Sequence, residues 1–213
     1  MNNNLLKFEK NLWENGIKLI AGIDEAGRGP IAGPVVSSAV IFEKGEYIDG
    51  VNDSKKLTPL KREKLYEIII KKALCYGIGI VSEKDIDKMN ILNAALLSMK
   101  KAVENLKFKP KFLLIDGNKI PDTSYSSKAI IKGDSLSFSI ASASIIAKVT
   151  RDRLMIDYHD IYPIYSFFKN KGYATREHIN AVKREGLCPI HRKTFCRKIL
   201  SPEQIEVEFV CKF

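Results

Sequence analysis

The chain has 213 residues, of which 28% are charged and 45% hydrophobic, with a formal net charge of +10. That length fits one domain, or one with a small appendage, able to bury about 70% of the surface its unfolded chain exposes. The composition excludes wholesale disorder, no apolar run approaches the roughly 18 residues of a membrane span, and Met1-Asn2-Asn3-Asn4 does not open a secretory signal, so a cytoplasmic protein without membrane contact is expected.

The elements alternate strand and helix. Leu19–Ile23 is an apolar run that reads as a buried strand ending at Asp24, and Val35–Phe42 reads as a second strand. Between them Gly27-Arg28-Gly29-Pro30 is built for tight backbone geometry. Thr58 followed by Pro59 predicts a helix start, with Lys61–Leu74 as its body. Tyr76–Ser82 reads as a strand, and Ile91, Ala95, Met99, Ala102 and Leu106 recur at helical spacing. Phe112–Asp116 is a short strand ending in a carboxylate, Ala129–Ile131 another, and residues 137–159 form a long helix. After Pro163 the chain becomes short-segmented and basic, with a helix over Thr175–Arg184 capped by Thr175. The expected organisation is an N-terminal segment over 1–16, an α/β domain over 17–160, and a helical extension over 161–213 packed on it.

The basic excess is uneven. Residues 1–106 carry 16 Lys and Arg against 14 Asp and Glu, and residues 107–213 carry 19 against 11. A polyanionic partner, nucleic acid first, accounts for this, and so would a lysine-rich solvated surface. The four cysteines, Cys75, Cys188, Cys196 and Cys211, form no C-x-x-C pair. Cys188, His191 and Cys196 lack a fourth ligand and paired zinc spacing, so free thiols are the better reading.

Three predicted strand ends carry acids: Asp24-Glu25, Asp116 and Asp134. Gathered at one sheet rim, four carboxylates cannot all stay ionised unless cations offset them. Hard oxygen ligands suit Mg²⁺ or Mn²⁺, and two such ions can drive an in-line phosphodiester displacement. Singly, each acid also reads as a strand end or an Asp-Gly turn. Neighbours in a strand point to opposite faces, so Asp24 and Glu25 share a metal only if the glycine turn after them re-aims Glu25. The loop glycines miss the dinucleotide spacing, and neither a P-loop nor a nucleophile elbow is present. His178 and His191 read more readily as surface or loop residues than as proton-transfer groups.

These segments resemble a known family. Ala21-Gly22-Ile23-Asp24-Glu25-Ala26-Gly27-Arg28-Gly29-Pro30 is similar to the opening motif of the type 2 ribonucleases H, as is Asp53-Ser54-Lys55-Lys56-Leu57. So are Leu114-Ile115-Asp116-Gly117-Asn118, Lys132-Gly133-Asp134, Ala143–Asp152, Lys171-Gly172-Tyr173-Ala174-Thr175 with His178, and His191-Arg192-Lys193-Thr194-Phe195. Only 23 residues precede Asp24, which favours the ribonuclease HII branch over ribonuclease HIII with its usual extra N-terminal domain.

The resemblance implies an α/β ribonuclease H-like fold: a mixed five-stranded sheet flanked by helices, with a small helical C-terminal extension. It implies cleavage of RNA in RNA–DNA hybrids and incision 5′ to single ribonucleotides in duplex DNA, leaving 3′-hydroxyl and 5′-phosphate ends. It assigns Asp24, Glu25, Asp116 and Asp134 as catalytic acids holding two divalent cations, Mn²⁺ or Mg²⁺. Gly27, Arg28, Gly29, Lys55 and Tyr173 become substrate contacts. Ranked after them are Ser54, then Lys148 and Arg151, which are placed to reach phosphate or to pair with nearby acids, and Asp152, a fifth acid read as a surface or supporting residue. A monomer is expected. Gln204 and the apolar residues after it only faintly resemble a sliding-clamp peptide, without its terminal aromatic pair, so a clamp contact is not supported. A nucleic-acid-binding module that does no chemistry is the alternative.

Overall fold

The computed structural model describes residues 5–204. In chain order these form α1 (Lys7–Glu14), β1 (Ile20–Ala26), β2 (Val35–Ile41), α2 (Pro59–Lys72), β3 (Cys75–Val81), α3 (Glu83–Glu104), β4 (Phe112–Asp116), β5 (Ser127–Ile130), α4 (Phe138–Ile161), α5 (Phe167–Asn170), α6 (Arg176–Glu185) and α7 (Lys193–Cys196). One five-stranded sheet runs in the order β3-β2-β1-β4-β5. β1 is antiparallel to β2 and parallel to β4, and β4 is parallel to β5, so the sheet is mixed. This is the expected fold class. No helix among the described residues is long and apolar enough to cross a membrane.

The chain divides into two compact units. The first holds the residues up to Ala26, Val36–Ile80 and Ala95–Thr150; the second holds Gly27–Val35, Val81–Ala94 and the chain from Arg151 on.

In the first unit, strand alternation sorts the side chains onto two cores. Ala21 and Ile23 of β1 join Ala39 and Ile41 of β2 against Met99, Ala102 and Val103 of α3. On the opposite face Val40 and Phe42 pack with Leu65, Tyr66 and Ile69 of α2 and with Phe138, Ile145 and Ile146 around α4. Gly22 lets α4 lie directly on β1, since a Cβ there would sit 2.1 Å from the Ser139 carbonyl carbon. Pro59 opens α2 while the Thr58 hydroxyl accepts from the Lys61 amide at 3.3 Å, as the sequence predicts.

The second unit has its own core of Ala32, Met155, Tyr165, Phe167, Ala181, Val182, Ile190 and Leu200. The Thr175 hydroxyl caps α6 by accepting from the His178 amide at 3.3 Å.

β1 does not end at Asp24. The ladder continues, with Asp24 opposite Ser38, Glu25 opposite Ser37 and Ala26 opposite Val36. An acid ends the apolar run without ending the backbone pairing. α3 begins eight residues before Ile91 and carries a non-helical Asn90 (φ 68°, ψ 164°).

Candidate active site

All four predicted acids belong to the first unit. β1, β4 and β5 run parallel in register, Ile23 beside Ile115 and Asp116 beside Ile130, so Asp24 and Asp116 follow at the same level of adjacent strands. Beyond β5, Lys132 takes a left-handed turn (φ 58°, ψ 38°) into the short 3₁₀ segment Gly133–Ser135, which carries Asp134. The turn aims two amides at Asp116: its Oδ1 accepts from Gly133 N at 2.6 Å and from Asp134 N at 3.4 Å.

The electrostatics are those of crowded carboxylates. Asp24 is only 4% exposed, and its carboxyl is raised well above the usual range by burial first, then by Glu25 and by Asp116. A hydrogen bond with the Ser144 side chain and the Glu25 amide, 2.7 Å from Asp24 Oδ1, pull the other way. Burial, then Asp116 and Asp53, also raise Asp134. Lys55 Nζ stands 3.5 Å from Asp134 Oδ2. Burial by itself would lower Lys55, but the fields of Asp134, Asp24, Asp53 and Asp116 outweigh it and raise its pKa. Ser54 is buried, and its hydroxyl lies 2.8 Å from that of Ser144. Ser54, Ser144 and Asp24 therefore form one hydrogen-bonded chain.

This donor set fits divalent cations in its chemistry: hard carboxylate oxygens, two of which, on Asp24 and Asp134, are held above the usual range by burial and by neighbouring acids, so that added positive charge would favour their ionised form. Among the described residues, no three His, Cys, Asp or Glu side chains are already drawn together as a ready-made metal cage. Cys188, His191 and Cys196 are no exception: Cys188 Sγ lies 3.1 Å from His191 Nδ1, whereas the buried Cys196 thiol points at the Ile31 carbonyl, 3.7 Å away.

The predicted sugar-reading residues Gly27, Arg28, Gly29 and Tyr173 fall in the second unit. Two fully buried arginines hold their loop. Arg151 donates from Nε to Pro34 O (2.9 Å), from Nη1 to Lys171 O (2.9 Å) and from Nη2 to Ala32 O (3.0 Å). Arg192 donates to the carbonyls of Gly33 (2.9 Å), Arg28 (3.1 Å), Pro30 (2.8 Å), Gly27 (2.6 Å) and Pro34 (3.2 Å). Burial lowers both guanidiniums, Arg151 to about 10 and Arg192, with Arg151 beside it, to about 9. Gly27 sits at φ +98°, and a Cβ on it would lie 2.2 Å from Arg151 Nε. Arg28 and Gly29 stay exposed, and a Cβ on Gly29 would stand 3.7 Å from Cε1 of Tyr173, itself 45% exposed. Bare backbone and an aromatic ring thus face each other at the surface.

Two sequence expectations need correction. Arg151 does not present its charge to a phosphate; the guanidinium is enclosed and satisfied by backbone carbonyls. His178 and His191 are not surface residues: they are 0% and 3% exposed, with their Nε2 atoms 3.0 Å apart. Lys148 and Asp152 are half-buried on α4. Sequence reasoning missed Arg192 and Ser144 as individual residues, although both lie inside segments that carry the resemblance.

Parallel strand ends bearing acids on a β3-β2-β1-β4-β5 sheet define a ribonuclease H-like fold. A sequence model of the family "Ribonuclease HII" matches residues 21–198. The chain is 57% identical over 193 residues to ribonuclease HII of Caldanaerobacter subterraneus subsp. tengcongensis, covering 91% of this chain and 80% of that one. Among solved structures it superposes on ribonuclease H2 from Pyrococcus horikoshii OT3 with a TM-score of 0.71 and 31% identity, over 85% of this chain and 96% of that one. It also matches the structure of the PCNA:RNase HII complex from Archaeoglobus fulgidus (TM-score 0.63, 27% identity, 81% of this chain and 91% of that one). The chain belongs to the ribonuclease HII family and is a ribonuclease H.

Proposed function

We propose that this ribonuclease H cleaves RNA in RNA–DNA hybrids and incises 5′ to single ribonucleotides in duplex DNA, leaving 3′-hydroxyl and 5′-phosphate ends, in ribonucleotide excision and primer removal. The observation that carries this reading is the carboxylate cluster, in which burial first, and then Glu25 and Asp116, hold Asp24 well above the usual carboxylate range. Asp24, Glu25, Asp116 and Asp134 would hold two divalent cations, Mg²⁺ or Mn²⁺. When bound, these ions supply water activation and charge stabilisation at the leaving oxygen.

The chain's own groups prepare that site. The Gly133 amide fixes Asp116, Ser144 fixes Asp24, and Lys55 offers a cation beside Asp134 for a phosphate oxygen. In the second unit, the Gly27-Arg28-Gly29 backbone and Tyr173 read the 2′-hydroxyl that separates RNA from DNA. A backbone clamp recognises sugar and not base, as a ribonucleotide-specific enzyme requires. Among the lower-ranked residues, Ser54 supports Ser144.

The protein acts as a monomer in the cytoplasm. The clamp partner of the archaeal relative is not carried over, and the chain after Gln204 lies outside the described residues. The test is nicking of a duplex containing one embedded ribonucleotide, with and without Mg²⁺ or Mn²⁺. Metal-dependent nicking 5′ to the ribonucleotide is expected; metal-dependent binding without nicking would favour a module that does no chemistry.

A further inference from the structure

The second unit contains a buried pair of imidazoles that the hydrolysis does not use, and its hydrogen bonds have one consistent direction. The Cys188 amide can only donate, and its nitrogen lies 3.0 Å from His191 Nδ1. Nδ1 is therefore the unprotonated nitrogen of that ring. The opposite tautomer would point an N–H at an N–H for a longer 3.3 Å contact with the Cys188 carbonyl. The proton of His191 then sits on Nε2, which donates to His178 Nε2 at 3.0 Å. His178 Nε2 is an acceptor, so its proton is on Nδ1, which donates to the Tyr173 carbonyl at 2.8 Å. The chain runs from the Cys188 amide through two neutral rings to Tyr173 and leaves no ring nitrogen unsatisfied.

Aromatic packing holds the two rings. Tyr165 meets His191 edge-on at 4.7 Å, and Phe167 meets His178 at 5.3 Å and 88°. The same Tyr173 carbonyl accepts from Thr175 N at 2.8 Å, and Tyr173 N donates to Asn170 O at 2.9 Å. The backbone of Tyr173 is thus tied on both sides while 45% of the residue stays exposed. Burial lowers His178 and, with His178 beside it, takes His191 to about 3, so both rings stay neutral under working conditions.

We propose that the His178–His191 pair is a positioning device for Tyr173, holding the backbone of that residue so that its ring meets the substrate sugar without reordering. This rests on the reading of Tyr173 as a sugar contact. Fixing a contact residue before binding removes an ordering cost, which a loss of orientation would restore as slower turnover.

The test uses substitutions that differ in where they keep a donor. Asn at 178 retains an N–H on the atom equivalent to Nδ1; Gln carries its amide one atom further and does not. The readout is kcat and KM for incision of a duplex with one embedded ribonucleotide, in the wild-type and Tyr173→Ala backgrounds. His178→Gln should lower kcat/KM about tenfold, chiefly in kcat, while His178→Asn recovers most of it. In the Tyr173→Ala background, His178→Gln should cost nothing further, because the residue it acts through is gone. Equal activity of the Asn and Gln variants, or an equal loss in both backgrounds, would overturn the positioning role while leaving Tyr173 a contact. An unchanged rate for Tyr173→Ala alone would overturn the reading of Tyr173, and the positioning role with it.

Discussion

Lowering the pH from 7.5 to 5.0 should destabilise the protein by about 2 kcal/mol through His191 alone. Burial first, and then His178 beside it, lower this imidazole to about 3 from an ordinary 6.5. A histidine whose folded pKa lies below its unfolded one is kept neutral by the fold. As pH falls the unfolded chain binds the proton first, so the contribution is whole above about 6.5 and is lost progressively toward 3. Those two values give a loss of about 0.1 kcal/mol at pH 7.5 and about 2 kcal/mol at pH 5.0. Cys188, whose thiol burial pushes up to about 11, stays protonated throughout and adds nothing. The assay is urea denaturation of wild type and His191→Gln at both pH values. Carboxylates titrate alike in the two proteins and cancel in the comparison. With a urea slope of about 2 kcal/mol/M, the wild-type midpoint should fall about 1 M further than the variant's. An equal fall in both proteins would refute the buried neutral pair.

Three other outcomes follow from the packing and the charge. Gly22→Ala should destabilise the protein by about 2–4 kcal/mol in the same denaturation assay, because the added methyl has only the backbone of α4 to displace. Arg192→Met should cost about 3 kcal/mol or more and expose the Gly27–Val35 loop to proteolysis, since five carbonyl bonds lose their donor inside the second unit. Charge reversal at Lys169, Lys171 and Arg176 should weaken hybrid binding and flatten its dependence on salt, measured by fluorescence anisotropy over a salt series; an unchanged slope would make the basic excess a solubility feature.

Much of the fold was legible because local rules and tertiary structure agree. Phe112–Asp116 is the strand its apolar run and terminal carboxylate predict, and Thr58 and Thr175 cap the helices they announce. Elsewhere the local signal was present but weaker than the periodicity. Ser82 bonds the Asp85 side chain and amide at the true start of α3, and Asn90 Oδ1 accepts from Asn93 N where the helix restarts. The early part of α3 lacks the apolar stripe that marks its later turns. α1 had no caps to announce it. It is held by a distant contact, Glu9 accepting from the Ser137 hydroxyl at 2.6 Å and the Ser139 amide at 3.0 Å, which no short-range pattern foretells.

The candidate site divides in the same way. Asp24 and Asp116 were readable as acids closing short apolar runs, which are visible in a single sequence, although only Asp116 ends its strand: β1 stays paired to Ala26, and Asp134 lies in the 3₁₀ segment beyond β5. The objection that Asp24 and Glu25 face opposite ways stands in the backbone, since β1 stays paired through both residues. It does not separate them electrostatically, because Glu25 still raises Asp24. Arg151 was expected to meet a phosphate or an acid because the sequence shows its charge and not its burial; its guanidinium is enclosed by backbone carbonyls. Arg192 and the histidine pair depend on partners 13 to 165 positions away, so their roles exist only in the folded chain.

Hydrolysis by Asp24, Glu25, Asp116 and Asp134 is the reading on which the proposed function stands. The most direct measurement is single-turnover cleavage of a duplex with one embedded ribonucleotide by wild type, Asp24→Asn and Asp116→Asn, each shown folded by its denaturation midpoint. Each substitution removes a charge while keeping shape, and should slow cleavage by about 10²-fold or more while leaving duplex binding within a few-fold. Cleavage at the wild-type rate by either folded variant would contradict the claim.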